Sequence, residues 1–347
     1  MCKITTGNKN TQDKDENGLY PFYVRSQNIE RINSWTFDGE AILTAGDGVG
    51  VGKVFHYSIG KIGVHQRVYI LSNFKCDGKY LYQYFSSRFY NRVKRMSAKN
   101  SVDSVRMEMI ADMPLYLPSV GEQHKIGKLL ALLDERISTQ NKIIEKLQSL
   151  IRGIRNSLLY SDNGTPIRIG DILKERAEKT TVNNQHEILS STVKGIFSQR
   201  EYFSKDIASE NNVGYKVIRL HDVVLSPQNL WMGNINYNDR FEVGIVSPSY
   251  KIFTIAEKYD KTFIASMLKT QRALYNYMLV SEQGASIVRR NLNMEAFEQL
   301  VFKIPPYEKQ CEIGRTMLAL RTRLAIANAI KIAYGQQKQW LLRKMFI

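Results

Sequence analysis

The chain has 347 residues, and a block near its middle recurs 187 residues later. The first copy spans residues 117–127 (LPSVGEQHKIG) and the second spans residues 304–314 (IPPYEKQCEIG). The proline, the glutamine and the Ile-Gly pair coincide without a gap. Self-similarity at a fixed offset marks repeated structural units. Because a chain of this length also exceeds one ordinary core, the repeat predicts two similar halves.

Each copy of the block predicts a short strand, a proline and then a long helix. Leu115 and Leu117 alternate with polar or outward-facing residues before Pro118, and the second copy has the same pattern before Pro305. Apolar residues then recur every three or four positions from Gly121 to about residue 159, and again in the second copy. A helix of about 38 residues is about 57 Å long at 1.5 Å per residue.

An apolar stripe on so long a helix needs a partner of similar length. We therefore expect the two helices to pair antiparallel as a coiled coil, although Lys331 and Lys338 interrupt the second stripe. Ordinary helices in one large bundle are the alternative. The intervening segments argue against a bundle, because they are rich in short β-like runs bounded by Gly, Asn, Asp and Pro.

These runs and one helical stretch in each segment indicate two globular domains. The predicted fold class is α+β, with two globular domains separated by two long antiparallel helices that act as spacers, in a pseudo-twofold repeat. The predicted domains are residues 1–117 and 161–304, and the predicted spacer helices are residues 118–160 and 305–347. The β runs are residues 41–44, 68–71, 223–225 and 250–255, and the helical stretches are residues 79–94 and 261–280.

The charge of the chain indicates a polyanionic partner. The formal net charge is +16 and the sequence pI is about 9.6, which is typical of proteins that bind nucleic acid. Cys2, Cys76 and Cys311 lie far apart, so neither a zinc site nor a disulfide framework is expected. No long apolar run predicts a membrane span and no signal-peptide core is present, so we expect a cytoplasmic protein.

The repeated block, with the run LLDERI at residues 132–137, resembles the specificity subunits of type I restriction–modification systems. The resemblance covers essentially the whole chain. It implies two target-recognition domains that each read one half of a split double-stranded DNA site. It also implies spacer helices that set the distance between the half-sites and dock two modification subunits.

The chemistry of such a system belongs to the partner subunits. The resemblance implies that the modification subunits bind S-adenosylmethionine and methylate adenine, and that restriction subunits use ATP and Mg²⁺. No cofactor, metal ion or catalytic residue is therefore expected in this chain.

Two departures from the family pattern stand out. Arg321-Thr322-Arg323 occupies the position at which the first copy has Asp134-Glu135-Arg136, so this departure falls on the docking surface that the resemblance implies for the distal helix. The second domain opens with the run IRIGDIL at residues 167–173, whereas the first domain starts without a corresponding strand. The first domain is therefore expected to be shortened at its start.

Candidate DNA contacts in the first domain fall into three groups. Arg, Gln and Asn side chains form the bidentate pairs that read guanine and adenine, and basic residues near a glycine-rich hairpin tip suit phosphates. The alternative is ordinary turn chemistry on a solvated surface. Arg25, Gln27 and Asn28 are the candidates for base edges, and Lys53 in the glycine-rich run at residues 45–54 is the candidate for a phosphate. The candidates for a clamp on the DNA backbone are Arg95, Lys99, Ser101 and Arg106.

Candidate DNA contacts in the second domain occupy the corresponding segments. Amide side chains after the β run at residues 223–225 suit adenine edges, and small and basic residues after the helical stretch suit phosphates. The candidates are Gln228, Asn229 and Asn234 for base edges, and Ser286, Arg289 and Arg290 as a clamp.

Catalytic motifs fail at the residues that would carry the chemistry. The glycine-rich run ends in Gly52-Lys53-Val54 and lacks the Ser or Thr of a phosphate-binding loop. Pro305-Pro306-Tyr307 resembles part of an amino-methyltransferase motif, but Ile304 replaces the asparagine that holds the target amino group.

We therefore expect a non-catalytic DNA-recognition subunit. The first alternative is a scaffold with only one DNA-reading domain, and the second is a stand-alone DNA methyltransferase.

Overall fold

A computed structural model describes residues 1–48, 50–96, 104–157, 164–202, 211–283 and 290–346. The chain divides into two compact units. The first unit combines Met1–Lys142 with Asn328–Ile347, and the second unit is Ile143–Ala327. Each unit therefore contains one globular region and a part of each long helix.

The first unit is built on a six-stranded sheet. Its elements are β1 (Lys3–Thr6), β2 (Tyr20–Tyr23), β3 (Ile29–Ile32), β4 (Phe37–Ala45), β5 (Phe55–Val64), β6 (Val68–Ser72), α1 (Gly78–Met96) and α2 (Met107–Ala111). The strand order is β1-β6-β4-β5-β2-β3, and the neighbours are antiparallel except for the parallel pair of β2 and β5.

Helix α1 packs on this sheet through an apolar stripe. Leu81, Phe85 and Phe89 recur every four residues, so they lie on one face of the helix. They join Ile42 of β4 and Leu71 of β6 in one buried cluster. The aromatic side chains of Phe85 and Phe89 therefore belong to the core of the first unit.

The second unit has shorter strands in several small sheets. Its elements are β7 (Thr165–Arg168), α4 (Ile169–Ile172), β8 (Leu173–Arg176), β9 (Leu189–Thr192), β10 (Gly195–Ser198), α5 (Gln199–Tyr202), β11 (Lys216–Arg219), β12 (Val223–Leu225), β13 (Ile235–Tyr237), β14 (Val243–Val246), β15 (Lys251–Ile255), α6 (Lys261–Met267), α7 (Gln271–Leu279), β16 (Ser281–Gln283), β17 (Arg290–Leu292), α8 (Met294–Glu298) and β18 (Val301–Ile304).

One four-stranded sheet of this unit repeats a part of the first sheet. Its order is β13-β12-β15-β8, and the corresponding strands of the first unit are β5-β4-β6-β1 in the same order. All neighbours in both sets are antiparallel. The two halves therefore share an arrangement of strands as well as the repeated block.

The two long helices are α3 (Val120–Ser157) and α9 (Tyr307–Met345). Ser119 starts α3 with a capping box, because its hydroxyl accepts a hydrogen bond from Glu122 N while the Glu122 carboxylate accepts one from Ser119 N at 3.0 Å. Both helices begin within two residues of the proline that the sequence pattern marked.

A glutamine side chain fastens each long helix to the globular region beside it. Gln123 Nε2 donates to the Pro118 carbonyl oxygen at 2.8 Å, and Asp77 N donates to Gln123 Oε1 at 3.1 Å. Gln310 repeats both bonds, to the Pro305 carbonyl oxygen at 2.9 Å and from Asp260 N at 3.1 Å. Both glutamines are buried. The repeated Pro–Gln spacing therefore encodes one structural joint that occurs twice, which we call the glutamine joint.

The long helices pack against each other within each unit. In the first unit, Leu130 and Leu133 of α3 share a buried cluster with Phe346 and the end of α9. The Arg136 guanidinium donates to the Tyr334 hydroxyl at 3.1 Å, and Asp134 pairs with Lys338. Residues with higher numbers in α3 contact residues with lower numbers in α9. The helices therefore run antiparallel here, as predicted.

The same packing occurs in the second unit. Ile151 of α3 shares a buried cluster with Ile313 and Met317 of α9.

The ion pair of Lys338 explains why this lysine interrupts the apolar stripe of α9 in the first unit. Its ammonium lies 2.5 Å from Asp134 Oδ1.

The single helix predicted at residues 261–280 is wrong, because the structure has two helices there. Helix α6 ends at Met267 and α7 begins at Gln271. The Thr270 hydroxyl accepts a hydrogen bond from Ala273 N at 3.2 Å, which caps the new helix. An apolar period of 3.6 residues persists across such a break, so the pattern did not reveal it.

The short strand predicted before Pro118 is also absent. Residues 114–117 belong to no helix or strand and form no ladder with any residue that the structure describes. Their counterparts in β18 pair antiparallel with β7. A strand needs a neighbour for its backbone groups, and in the first unit no described segment stands in the place of β7.

We predict that Gly127→Ala destabilises the protein whereas Gly153→Ala in the same helix stabilises it. A Cβ at Gly127 would lie 2.7 Å from Tyr80 N and 2.8 Å from Asp77 Oδ1, inside the glutamine joint, whereas a Cβ at Gly153 would meet no described atom within 4 Å. Thermal unfolding should show a loss of about 1–3 kcal/mol for the first variant and a gain of about 0.5–1 kcal/mol for the second. Equal effects would contradict this account of the joint.

Candidate nucleic-acid interface

Three segments of the first unit meet at the end of β4. They are the turn at residues 24–28 between β2 and β3, the glycine-rich loop (residues 46–48 and 50–54) and the segment 104–106 before α2. We call them the first loop cluster. Val105 N donates to the Gly46 carbonyl oxygen at 2.7 Å, and the Arg25 guanidinium donates to Asp47 Oδ1 at 2.8 Å.

The glycines of this loop serve close packing within the protein. A Cβ at Gly50 would lie 2.4 Å from the Arg25 carbonyl oxygen, and Gly52 has a φ of +65°. Either position would be strained with another residue. The segment that approaches Gly50 in the structure is the turn that carries Arg25.

Asp47 is the electrostatic centre of the cluster, and the sequence reasoning missed it. It pairs with Arg67 as well as with Arg25. Its partial burial would raise the pKa of Asp47, but the hydrogen bonds from Arg67 and Arg25 together lower this pKa below its ordinary value. The carboxylate therefore stays charged and orients the Arg25 side chain, which remains exposed.

The other described candidates of the first domain lie on the surface. Gln27 and Asn28 are exposed in the turn beside Arg25. The Lys53 ammonium lies 5.2 Å from the centroid of the Tyr90 ring. Arg106 is exposed at the start of α2, and Arg95 is exposed at the end of α1, where its Nε donates to the Asn91 carbonyl oxygen at 3.3 Å. Lys99 and Ser101 lie outside the described residues.

Two segments of the second unit meet in the corresponding way. The turn at residues 226–234 follows β12, as the glycine-rich loop follows β4. Arg290 N donates to the Gln228 carbonyl oxygen at 3.1 Å, which joins this turn to the segment after α7. We call the turn and Arg290 the second loop cluster. Ser286 and Arg289 lie outside the described residues.

Arg290 is held by an aromatic ring that the sequence reasoning did not single out. Its guanidinium carbon lies 4.8 Å from the centroid of the Trp231 ring, an arrangement favourable for a cation over an aromatic face. Gln228 is exposed and Asn229 is half-buried. The backbone of Asn229 closes the turn, because its carbonyl oxygen accepts hydrogen bonds from Met232 N and Asn234 N, each at 3.2 Å.

Asn234 differs from the other candidates because its side chain is buried. It accepts a hydrogen bond from the Ser191 hydroxyl at 2.9 Å and donates one to the Ser191 carbonyl oxygen at 3.1 Å. The Asn236 amide joins the same network. This amide is already bonded inside the protein, so the expected contact of Asn234 with a base edge does not agree with its position. The sequence did not predict the burial of Asn234, because an asparagine near a turn is ordinarily exposed.

Half-buried basic side chains adjoin this network. The Lys269 ammonium donates to Asn236 Oδ1, and the Arg321 guanidinium donates to the Ser266 hydroxyl at 3.2 Å. Burial, followed by the charges of Arg155 and Arg321, lowers the pKa of Lys269 to about 8. Burial also lowers the pKa of Arg321, against the opposing charge of Asp239.

The equivalent position in the first unit has a balanced charge. There Gln83 Nε2 donates to Asp134 Oδ2 at 2.7 Å, and Lys338 pairs with the same carboxylate. Arg321 replaces that carboxylate in the second copy of the repeat, as the departure from the family block indicated. The change therefore leaves the second unit with an excess of positive charge at this position.

Two histidines, His56 and His65, are buried and hydrogen-bonded within the first unit. His56 Nε2 lies 3.0 Å from the Ser26 carbonyl oxygen, and Arg67 N donates to His65 Nδ1 at 3.1 Å. Burial lowers the pKa of both histidines. Within the described ranges no three His, Cys, Asp or Glu residues are placed to hold a metal ion, and no helix is long and apolar enough to cross a membrane.

Comparisons with known proteins connect this geometry to a family. Residues 1–149 match the family described as Type I restriction modification DNA specificity domain. Over 165 residues the chain is 26% identical to the type I restriction enzyme EcoDI specificity subunit of Escherichia coli. That alignment covers 47% of this chain and 36% of the relative, so the chain spans about a third of the length of this curated protein.

The fold is similar to a crystal structure of the type I restriction–modification S subunit from M. genitalium. The TM-score is 0.69 at 14% sequence identity, with 100% of this chain and 94% of that chain covered. The predicted α+β fold is therefore confirmed. The family match and the relative confirm the resemblance to type I specificity subunits, and this family is a non-catalytic one.

We predict that the stability contributed at Lys269 rises with pH above 8. The pKa of Lys269 is about 8 in the folded chain against 10.5 as its ordinary value, so between these values the unfolded chain binds more protons. The free energy of unfolding of the unmodified protein should therefore rise relative to that of Lys269→Met. The expected rise is about 1 kcal/mol from pH 7 to pH 9.

Chemical denaturation at each pH measures this difference. Lys258→Met, at an exposed lysine of the same unit, supplies the baseline. A difference between the protein and Lys269→Met that falls with pH would contradict the burial of a charged ammonium at this position.

Proposed function

We propose that this chain, whose residues 1–149 belong to the type I restriction–modification specificity family, is a non-catalytic DNA-recognition subunit of a type I complex. Each globular region reads one half of a bipartite double-stranded DNA site. The long helices set the spacing between the half-sites and dock two modification subunits, and restriction subunits join the complex. S-adenosylmethionine, ATP and Mg²⁺ act in those partners, and the complex works in the cytoplasm.

The observation that carries this proposal is the repeated construction of the two loop clusters. In the first unit, the segment between α1 and α2 donates a backbone hydrogen bond to the loop after β4. In the second unit, the segment after α7 donates one to the loop after β12, the strand that corresponds to β4. Val105 N bonds to Gly46 in the first unit and Arg290 N bonds to Gln228 in the second. Each loop cluster carries polar or basic side chains at the surface, such as Arg25 in the first and Gln228 in the second. One construction used twice supports one task performed twice.

The electrostatics of the chain support a nucleic-acid partner. A net charge of +16 draws a polyanion to the surface. Arg25 and Arg290 are each held by a neighbour, Asp47 and Trp231, which reduces the freedom that a long side chain loses on binding. Oriented guanidinium groups suit bidentate pairing with guanine or with a phosphate.

Two linked half-site readers bind more tightly than either alone. When the first domain is bound, the second searches only the DNA within its reach, so its effective concentration is high where the spacing matches. We expect the affinity to depend on both halves and on the distance between them.

The alternative of a scaffold with one DNA-reading domain has a specific observation in its favour. The segment at residues 114–117 of the first unit lacks a strand partner among the described residues, whereas β18 has one. Scrambling each half of a selected DNA site in turn distinguishes the two functions. A scaffold of this kind would tolerate a scrambled first half, and a bipartite reader would not.

We predict that Arg290→Ala weakens DNA binding about 10- to 100-fold, because it removes an oriented guanidinium from the second loop cluster. The complex with its modification subunit is used, on a duplex that the complex selects from a random-sequence pool. The matched control is Arg240→Ala, because the Arg240 guanidinium also lies 4.8 Å from an aromatic centroid, that of Phe241, but pairs with Glu201. The control should stay within about threefold of the unmodified complex. Equal affinities of both variants would contradict a DNA contact at Arg290.

A further inference from the structure

Three basic side chains of the second unit come from segments that share one apolar core. They are Arg155 of α3, Arg321 of α9 and Lys269 of the linker between α6 and α7, and we call them the cation cluster. Each follows directly on a side chain of that core, namely Ile154, Leu320 or Leu268. All three are half-buried, so they are less well hydrated than exposed cations.

The three positive charges act on one another. Burial, followed by the charge of Arg321, lowers the pKa of Arg155. Burial, followed by the charges of Arg155 and Arg321, lowers the pKa of Lys269 to about 8. Like charges that are close together and partly dehydrated are stabilised by a nearby anion. An anion bound among these side chains would therefore relieve both the burial and the repulsion.

The chain itself supplies no such anion within the described ranges. The Lys269 ammonium donates to the Val193 carbonyl oxygen at 3.3 Å and to Asn236 Oδ1, which are neutral groups. Arg155 Nε is buried and has no hydrogen-bond acceptor among the residues that the structure describes. In the same part of the chain, no carboxylate forms an ion pair with any member of the cluster.

The first unit has a carboxylate at the equivalent place. Gln83 and Ser266 each lie six residues after the aspartate of their glutamine joint. Gln83 Nε2 donates to Asp134 Oδ2 at 2.7 Å, whereas the Ser266 hydroxyl accepts from the Arg321 guanidinium at 3.2 Å. Lys338 pairs with the Asp134 carboxylate. The second unit therefore has a cation where the first unit has an anion.

We propose that the cation cluster is a binding site for a phosphate group. A phosphate has several acceptor oxygens, so it can accept hydrogen bonds from guanidinium groups and from an ammonium at the same time. Its negative charge takes the role that the Asp134 carboxylate has in the first unit. The site lies within the second unit, and its existence does not depend on the proposed function.

Two sources of phosphate fit this chemistry, namely inorganic phosphate and the backbone of bound DNA. Lys269 contacts Asn236, and the Asn236 amide donates to Asn234 at the end of the turn in the second loop cluster. The cation cluster is therefore connected to a segment that we propose to contact DNA. Inorganic phosphate tests whether the site exists, and DNA binding identifies the source.

The first experiment measures the thermal unfolding of the full chain at pH 7, with inorganic phosphate replacing chloride at constant ionic strength. We expect a saturable rise of the unfolding temperature of about 2–4 °C. Phosphate also stabilises proteins in general, because it is excluded from their surface, so matched variants are required. No rise in the unmodified protein would overturn the proposal.

Arg321→Asp introduces into the cluster the carboxylate that the first unit has. Without phosphate, this variant should unfold at a higher temperature than the unmodified protein, and phosphate should add almost nothing to that temperature. Arg323→Asp is the matched control, because Arg323 is exposed on the same helix and the change of charge is the same. The control should keep the full rise. Equal rises in Arg321→Asp and in the unmodified protein would overturn the site.

A second variant removes a cation without adding an anion. In Lys269→Met, the phosphate concentration that gives half of the rise should be at least about tenfold higher, because a charged hydrogen-bond donor is lost. Lys258→Met, at an exposed lysine of the same unit, should leave this concentration unchanged. The same concentration for both variants would contradict a contact between Lys269 and phosphate.

DNA binding of the same variants identifies the source of the phosphate. The measurement uses the complex with the modification subunit proposed for this chain, on a duplex selected from a random-sequence pool. A loss of affinity that is at least about tenfold greater for Arg321→Asp than for Arg323→Asp would assign the site to a DNA phosphate. Equal affinities would overturn that source in favour of inorganic phosphate. Because the unfolding experiment uses the chain without DNA, its failure is distinct from a failure of the proposed function.

Discussion

The glutamine joint is the contact on which the rest of the structure depends. Gln123 and Gln310 each connect the start of a long helix to the globular region beside it, through one hydrogen bond to the carbonyl of the preceding proline and one from the backbone of an aspartate. A buried amide with both ends bonded is costly to disrupt, because a broken bond leaves a polar group unsatisfied. The joint therefore fixes the direction in which each helix leaves its globular region, and the glycine four residues later lets the helix approach closely.

The glutamine joint positions α3 and α9 so that their apolar residues can pack against each other. Since the helices run antiparallel, the start of one lies beside the end of the other, and each unit receives one part of each helix. The seam carries different charges in the two units. Asp134 accepts hydrogen bonds from Gln83 and Lys338 in the first unit, whereas Arg321 lies near the half-buried cations Lys269 and Arg155 in the second. Like charges that lose part of their hydration cost stability, so this difference distinguishes two halves that are otherwise built alike.

Sequence reasoning reached the features that depend on periodicity or on repetition. The offset of the repeated block predicted two similar halves, and the apolar stripe predicted a helix from Gly121 to about residue 159, where the structure has Val120–Ser157. It failed where tertiary contacts decide. The apolar residues keep a helical period across the break at Leu268–Thr270, so the sequence predicts one helix there. The alternation before Pro118 predicts a strand whether or not a neighbouring strand is present. The sequence around Asn234 is typical of a polar turn and does not indicate that this side chain is buried. The support of Arg25 by Asp47 and of Arg290 by Trp231 joins residues far apart in the chain, which no local pattern reveals.

The central claim is that both globular regions contribute to the recognition of one DNA site. The most direct measurement is to co-express this chain with the modification subunit proposed for it and to map methylated adenines by single-molecule sequencing. The account predicts a split motif, with two specific halves separated by a gap of constant length. Methylation at a single undivided motif, or no methylation that depends on this chain, would contradict it.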